Sequence, residues 1–187
     1  DACMAAGHVP VDFGALGAGQ RETAMGIGRR AVGKAAGPTT GKVALFATCY
    51  GNANEPGVNQ DLIAVFEHNG IPVTIAEKER CCGMPKLELG DLESVKAAKE
   101  ANIPQLAKLV DAGWDLTALV PSCVLMFKQE LPLMFPDDAD VQKVKNAFYD
   151  PFEYLMLRHK EGKLKTDFKE ALGKVSYHAA CHQRVQN

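Results

Sequence analysis

No apolar run in the 187-residue sequence reaches the ~18 residues that a membrane-spanning helix needs. Nor does it hold a long Lys/Arg run, and its net charge is only −2, so nothing electrostatic argues for nucleic acid or an anionic bilayer. A secretory leader, with its charged n-region and apolar h-region, is absent from the opening residues. These absences lead us to expect a cytoplasmic protein, at most peripheral at the inner face of the membrane. The first residue is Asp rather than Met, as in a processed or partial chain. Phosphate-binding loops are missing too. Gly14-Ala15-Leu16-Gly17-Ala18-Gly19 has the wrong order for a dinucleotide fingerprint, and Gly37 to Lys42 falls one residue short of a P-loop. Close C-x2–4-C pairs, from which structural zinc modules usually draw their ligands, do not occur.

What is present is six cysteines in an otherwise ordinary composition, 47% apolar and 24% charged, long enough for one domain with a substantial core. Without secretion signals, such cysteines read as metal or redox residues rather than as a disulfide framework. Residues 1–41 hold nine of the seventeen glycines and read as a linker or partly ordered segment, with one short helix expected at Arg21–Val32. Cys3, in that stretch, has no partner at a useful spacing.

From Lys42 the pattern sharpens. Val43–Thr48 is a short apolar run of the kind buried on both faces of a sheet, and Cys49 follows it. Leu62, Ile63, Val65 and Phe66 stand at helical spacing before the stop at Asn69-Gly70. Pro72–Ala76 is a second strand, with Cys81-Cys82-Gly83 shortly after it. Asp91 is placed to cap a helix through Leu92, Val95 and Ala98, which Pro104 either kinks or restarts at Ile103–Ala112. Leu116–Val120 is a third strand, followed by Cys123. Helices are expected over Val124–Leu131, Asp140–Phe148 and Pro151–His159, and a fourth strand over Lys174–His178 before Cys181. Strands alternating with helices predict an α/β fold with a parallel sheet and right-handed crossovers. Ligand sites in such sheets lie beyond the carboxyl ends of the strands, where Cys49, Cys81, Cys82 and Cys123 all fall.

Cys81 and Cys82 are adjacent, and neighbouring cysteines bond to one another only with strain. Both can, however, face one soft metal centre. The full constellation, Cys49-x31-Cys81-Cys82-Gly83-x36-Val120-Pro121-Ser122-Cys123, resembles the cysteine-rich CCG domain. That domain occurs in the B subunit of heterodisulfide reductase, in the C subunit of anaerobic glycerol-3-phosphate dehydrogenase, and in iron–sulfur subunits of glycolate and lactate oxidation. The resemblance spans residues 42–135. It implies a [4Fe–4S] cluster held by Cys49, Cys81, Cys82 and Cys123, and an electron-transfer role beside a flavoprotein dehydrogenase, with quinone or a membrane subunit as acceptor. Val120 stands where the fuller motif has another cysteine, which shifts weight from disulfide chemistry to electron transfer.

By the same resemblance, residues 136–172 form a helical connection. Residues 173–187, with Tyr177-His178-Ala179-Ala180-Cys181-His182, open a second repeat whose site, begun by Cys181, would need residues beyond Asn187. A longer polypeptide or a partner chain is then expected to complete the sheet edge. Two alternatives stay open on the sequence: a disulfide-reducing enzyme of the heterodisulfide reductase type, and a zinc-bound or cluster-free scaffold. His178 and His182 are weaker ligand or relay candidates, Met84 and Met126 read as packing, and Glu77 to Arg80 reads as a solvated loop whose Lys78 and Arg80 could offset cluster charge.

Overall fold

The computed structural model describes residues 39–186; the expected helix at Arg21–Val32 and Cys3 lie outside them. Four short strands, β1 (Val43–Leu45), β2 (Val73–Ile75), β3 (Asp115–Thr117) and β4 (Phe148–Tyr149), pair in the order β2-β1-β3-β4. Every pairing is parallel. Both faces of β1 are covered, which explains why it has no polar alternation. Val43 and Leu45 pack with Leu62, Phe66 and Tyr154 on one side. Ala44 and Phe46 turn to the other, among Val95, Leu106, Val124 and Val144.

The helices follow their local chemistry. Among the described residues they are α1 (Cys49–Ala53), α2 (Pro56–His68), α3 (Met84–Glu88), α4 (Leu92–Asp111) and α5 (Pro121–Leu125), then α6 (Leu131–Met134), α7 (Ala139–Ala147), α8 (Pro151–Lys160) and α9 (Cys181–Arg184). Asp91 caps α4 as expected, accepting from the Ser94 N–H at 3.1 Å. The helix then runs through Pro104 without restarting. Ile103, Leu106 and Ala107, buried on both sides of that proline, hold the line against a loss of about 3 kcal/mol. A single π-helical turn, Met126–Glu130, joins α5 to α6 and directs both Met126 and Phe127 into the core.

The fourth strand is not where the sequence places it. Lys174–His178 has no regular structure, and β4 instead comes from Phe148–Tyr149, paired to Leu116 and Thr117. The cause is aromatic packing. Phe148 stacks on Phe127 at 4.8 Å, and Phe127 meets Phe46 edge-on at 5.1 Å, so the chain leaving α7 is drawn along β3. Val175 and Tyr177 stay exposed, without a neighbouring strand among the described residues. No helix among the described residues is long and apolar enough to cross a membrane.

At the amino-terminal edge of the sheet, Asp115 is buried and accepts from the Thr40 N–H at 2.6 Å and the Thr40 hydroxyl at 2.9 Å, tying the incoming chain to β3. Burial pushes its carboxyl above the ordinary value of 3.8, against the pull of those donors. The charged form is therefore the disfavoured one in the fold. This contribution to stability is fully present below pH 3.8 and declines as pH rises through the folded value. Urea titrations across that window are expected to show a shallower pH dependence for Asp115→Asn than for the native chain. Equal slopes would remove Asp115 as the source.

Candidate functional site

Three loops leave the carboxyl ends of β1, β2 and β3 and carry the four cysteines of interest. The strand order reverses between β1 and β3, so these loops flank the crevice that open parallel sheets offer to ligands.

In the first loop Thr48 adopts φ 68 and ψ 154, a region that residues with a side chain rarely occupy. Its hydroxyl accepts from the Gly51 N–H at 3.0 Å and so caps α1, whose first residue is Cys49. Asn59, buried on α2, donates to the Ala47 carbonyl at 2.9 Å. Gly51 gives this amide its room: a Cβ there would stand 2.3 Å from Asn59 Nδ2. Gly51→Ala must therefore displace Asn59 from Ala47. Chemical denaturation is expected to show a loss of about 1–3 kcal/mol. A variant as stable as the native chain would mean that Asn59 repacks freely.

The second loop carries Cys81 and Cys82. Asn102, fully buried on α4, accepts from the Arg80 N–H at 2.8 Å and donates to the carbonyls of Arg80 and Cys81 at 3.1 and 3.2 Å. One amide thus fixes the backbone entering the vicinal pair. Gly83 follows with φ 98, and a Cβ on it would press on Ala98 and on Met126 Cε, both at 3.4 Å. Glu79, two residues before Cys81, turns inward: its carboxylate accepts from the Ala47 N–H at 2.8 Å and from Asn52 Nδ2 at 2.9 Å. Burial lifts this carboxyl to about 7, while hydrogen bonds from Ala47, Asn52 and Thr48 pull the other way. Glu77, Lys78 and Arg80 remain exposed, as expected of a solvated loop.

The third loop places Cys123 in the first turn of α5, behind Val120 and Pro121. Val120 is partly buried against the core, and its carbonyl accepts from the Cys123 N–H at 3.0 Å.

Cys82 and Cys123 are only 3% and 4% exposed. The Cys82 thiol lies within hydrogen-bonding reach of both Cys123 and Cys81. Those two contacts, then desolvation, hold it protonated well above the ordinary thiol value, with the Met84 N–H opposing. Three sulfurs from two strand ends therefore gather at one place, with Cys82 and Cys123 in the same buried cluster as Met84 and Met126. Cys49 sits half-buried at the start of α1 on the adjoining loop. Among the described residues, no group of three or more His, Cys, Asp or Glu is arranged to hold a metal ion.

Cys181 is exposed, on α9, which packs against α5. That segment is pinned by side-chain amides: Gln186 donates to the Pro121 carbonyl at 2.8 Å, Gln183 to Asp150 at 3.3 Å, and Gln129 to the Val185 carbonyl. His178 is exposed and His182 half-buried. Met84 and Met126 are buried packing, as read from the sequence. The sequence reading missed Glu79, Asn102, Asn59 and Thr48. No local pattern marks any of them, since Glu79 stands among three other charged residues and reads as part of a solvated loop.

Comparison with known proteins places residues 43–128 on the family model described as a cysteine-rich domain, CCG. Lactate utilization protein A of Bacillus cytotoxicus is 32% identical over 145 residues, which is 75% of this chain and 57% of that protein. Its counterpart in Bacillus thuringiensis is 32% identical over 146 residues, with the same coverage. The C subunit of anaerobic glycerol-3-phosphate dehydrogenase from Escherichia coli K12 is 28% identical over 142 residues, covering 75% of this chain and 35% of that protein. The chain thus spans less than two thirds of the length of these relatives. No solved structure matches.

Proposed function

We propose, from the match of residues 43–128 to the cysteine-rich CCG family, that the chain is an iron–sulfur electron-transfer component of an oxidoreductase complex, with Cys49, Cys81, Cys82 and Cys123 holding a [4Fe–4S] cluster. The observation that carries this reading is the meeting of Cys82 with both Cys81 and Cys123 at the carboxyl edge of the sheet, with Cys82 and Cys123 buried and Cys81 half-buried. The donor set fits the group. It offers soft sulfur ligands, four in number, from loops whose backbones are clamped by Asn102, Glu79 and Asn59. The Cys82 thiol, held neutral by its contacts and burial, must shed its proton to bind metal, so loading favours higher pH.

When bound, such a cluster supplies one-electron transfer at a potential set by burial, hydrogen bonds to sulfur and nearby charge. The chain's own part is to seal the side facing the core with Met84, Met126 and Val124, leaving the half-buried Cys49 and Cys81 toward solvent. A partner exchanging electrons would approach on that side. One relative is by name a subunit of a dehydrogenase, which supports a redox partner. By the family resemblance that partner would be a flavoprotein dehydrogenase as donor, with quinone or a membrane subunit as acceptor, at a cytoplasmic or peripheral inner-membrane location. Cys181 would belong to a second site, separate from the first.

Anaerobic purification followed by iron, sulfide and zinc analysis, with electron paramagnetic resonance of the reduced sample, tests the assignment. The expected result is on the order of four irons and four sulfides per chain. Near-stoichiometric zinc without sulfide would overturn it in favour of a zinc scaffold. Disulfide reduction by the native chain would overturn it in favour of a heterodisulfide reductase-like enzyme.

A further inference from the structure

The loop bearing Cys49 is held from two directions. Asn59 on α2 grips the Ala47 carbonyl, while the Glu79 carboxylate grips the Ala47 N–H through Oε2 and the Asn52 amide through Oε1. Between the two points gripped by Glu79 lie Thr48, at φ 68, and Cys49 itself. A residue with a Cβ persists in that conformation only when its surroundings over-determine it, and strain of this kind collects where a side chain must be aimed. Glu79 does not belong to the Cys49 loop. It sits on the segment leading into Cys81, and the next residue, Arg80, is locked by Asn102. The two cysteine loops, which share no strand, are therefore joined through one carboxylate.

We propose that Glu79 is a positioning residue for the cysteine site: by accepting from the Ala47 N–H and the Asn52 amide together, its carboxylate fixes the Cys49 loop in its strained conformation against the loop of Cys81 and Cys82. The geometry asks for a carboxylate specifically. Two donors converge on it, and a glutamine would meet one of them with its own NH₂ group. A shorter aspartate would not span both. This role rests on the proposed site, but the clasp itself is a property of the chain without metal and can be tested apart from it.

The test is site-resolved alkylation of the reduced, metal-free full chain by iodoacetamide under anaerobic conditions. Rates at Cys49, Cys123 and Cys181 are followed by mass spectrometry in the native chain, Glu79→Ala, Glu79→Gln and Asn52→Ala. Freeing the loop is expected to raise the Cys49 rate about tenfold in both Glu79 variants and a few-fold in Asn52→Ala, the scale of losing one or two hydrogen bonds that oppose local opening. Cys123 and exposed Cys181 should keep their native rates. An unchanged Cys49 rate in the Glu79 variants overturns the proposal. So does an equal rise at Cys123, which would report general loosening rather than release of one loop. Should Glu79→Ala fail to fold, Glu79→Gln and Asn52→Ala decide the matter by the same readout. In a second arm the chains are reconstituted with iron and sulfide, and Glu79→Gln should show an altered resonance spectrum of the reduced cluster. If the native chain takes up no iron and sulfide, the cluster reading falls, while the alkylation rates still decide the clasp.

Discussion

Replacing Cys82 by Ser is expected to cut iron and sulfide incorporation by at least about tenfold, whereas Cys181→Ser leaves it at the native level. Loss of even supporting residues around metal sites typically costs tenfold or more, and in the proposed site Cys82 would be a ligand itself. It is the sulfur that touches both of its neighbours, and it is nearly enclosed. A serine hydroxyl in its place is a hard donor that gives up its proton far less readily than a thiol, so it holds iron poorly. The substitution changes little in volume, and the far-ultraviolet circular dichroism of the variant should match that of the native chain. Cys181 lies exposed on α9 and contributes nothing to the first site in this scheme. Iron and sulfide analysis after parallel anaerobic reconstitution reads both variants. Undiminished uptake by Cys82→Ser would remove Cys82 from the ligand set, and a matching loss in Cys181→Ser would place Cys181 within it.

Asn102→Ala is expected to destabilise the chain by about 3 kcal/mol, which is a substantial fraction of the total stability of an ordinary domain. The side chain is fully buried and satisfies three backbone groups: the Arg80 N–H and the carbonyls of Arg80 and Cys81. Alanine leaves those groups without partners and opens a cavity beneath the vicinal pair, and the two effects add. Asn102→Asp should be at least as damaging at neutral pH. It keeps an acceptor for the Arg80 N–H but turns an oxygen toward two carbonyls, and it buries a charge. Urea denaturation followed by circular dichroism measures both. A cost under about 1 kcal/mol for Asn102→Ala would mean that the loop is held from elsewhere.

These two residues show how unevenly the site could be read in advance. Cys82 announces itself, since a vicinal cysteine pair followed by Gly83 and flanked by Cys49 and Cys123 at long, regular spacings has few other uses. Asn102 lies in the middle of a 20-residue helix among Lys, Ala and Gln, where an asparagine ordinarily faces water. Its role depends on which face of α4 packs on the loop after β2, and no local pattern specifies that. Glu79 is hidden in the same way, because Glu77 to Arg80 carries four charges and only one of them turns inward.

The fold divides along a similar line. The first three strands and the alternation with helices follow from short apolar runs, as expected of strands covered on both faces. Even so, β3 also buries Asp115 and Thr117, whose polar atoms are satisfied by Thr40 and by the Tyr149 carbonyl. The fourth strand could not be found in this way. Val175 and Tyr177 have the composition of a strand, yet pairing requires a neighbouring edge, and Phe148 takes that edge by stacking on Phe127. By itself, then, the sequence determined the chemistry, meaning sulfur donors behind three strand ends of a parallel sheet, because residue type and short-range periodicity are local properties. Which sulfurs meet, which amides and carboxylates hold their loops, and which segment closes the sheet were decided only by tertiary packing, because each depends on contacts between residues far apart along the chain.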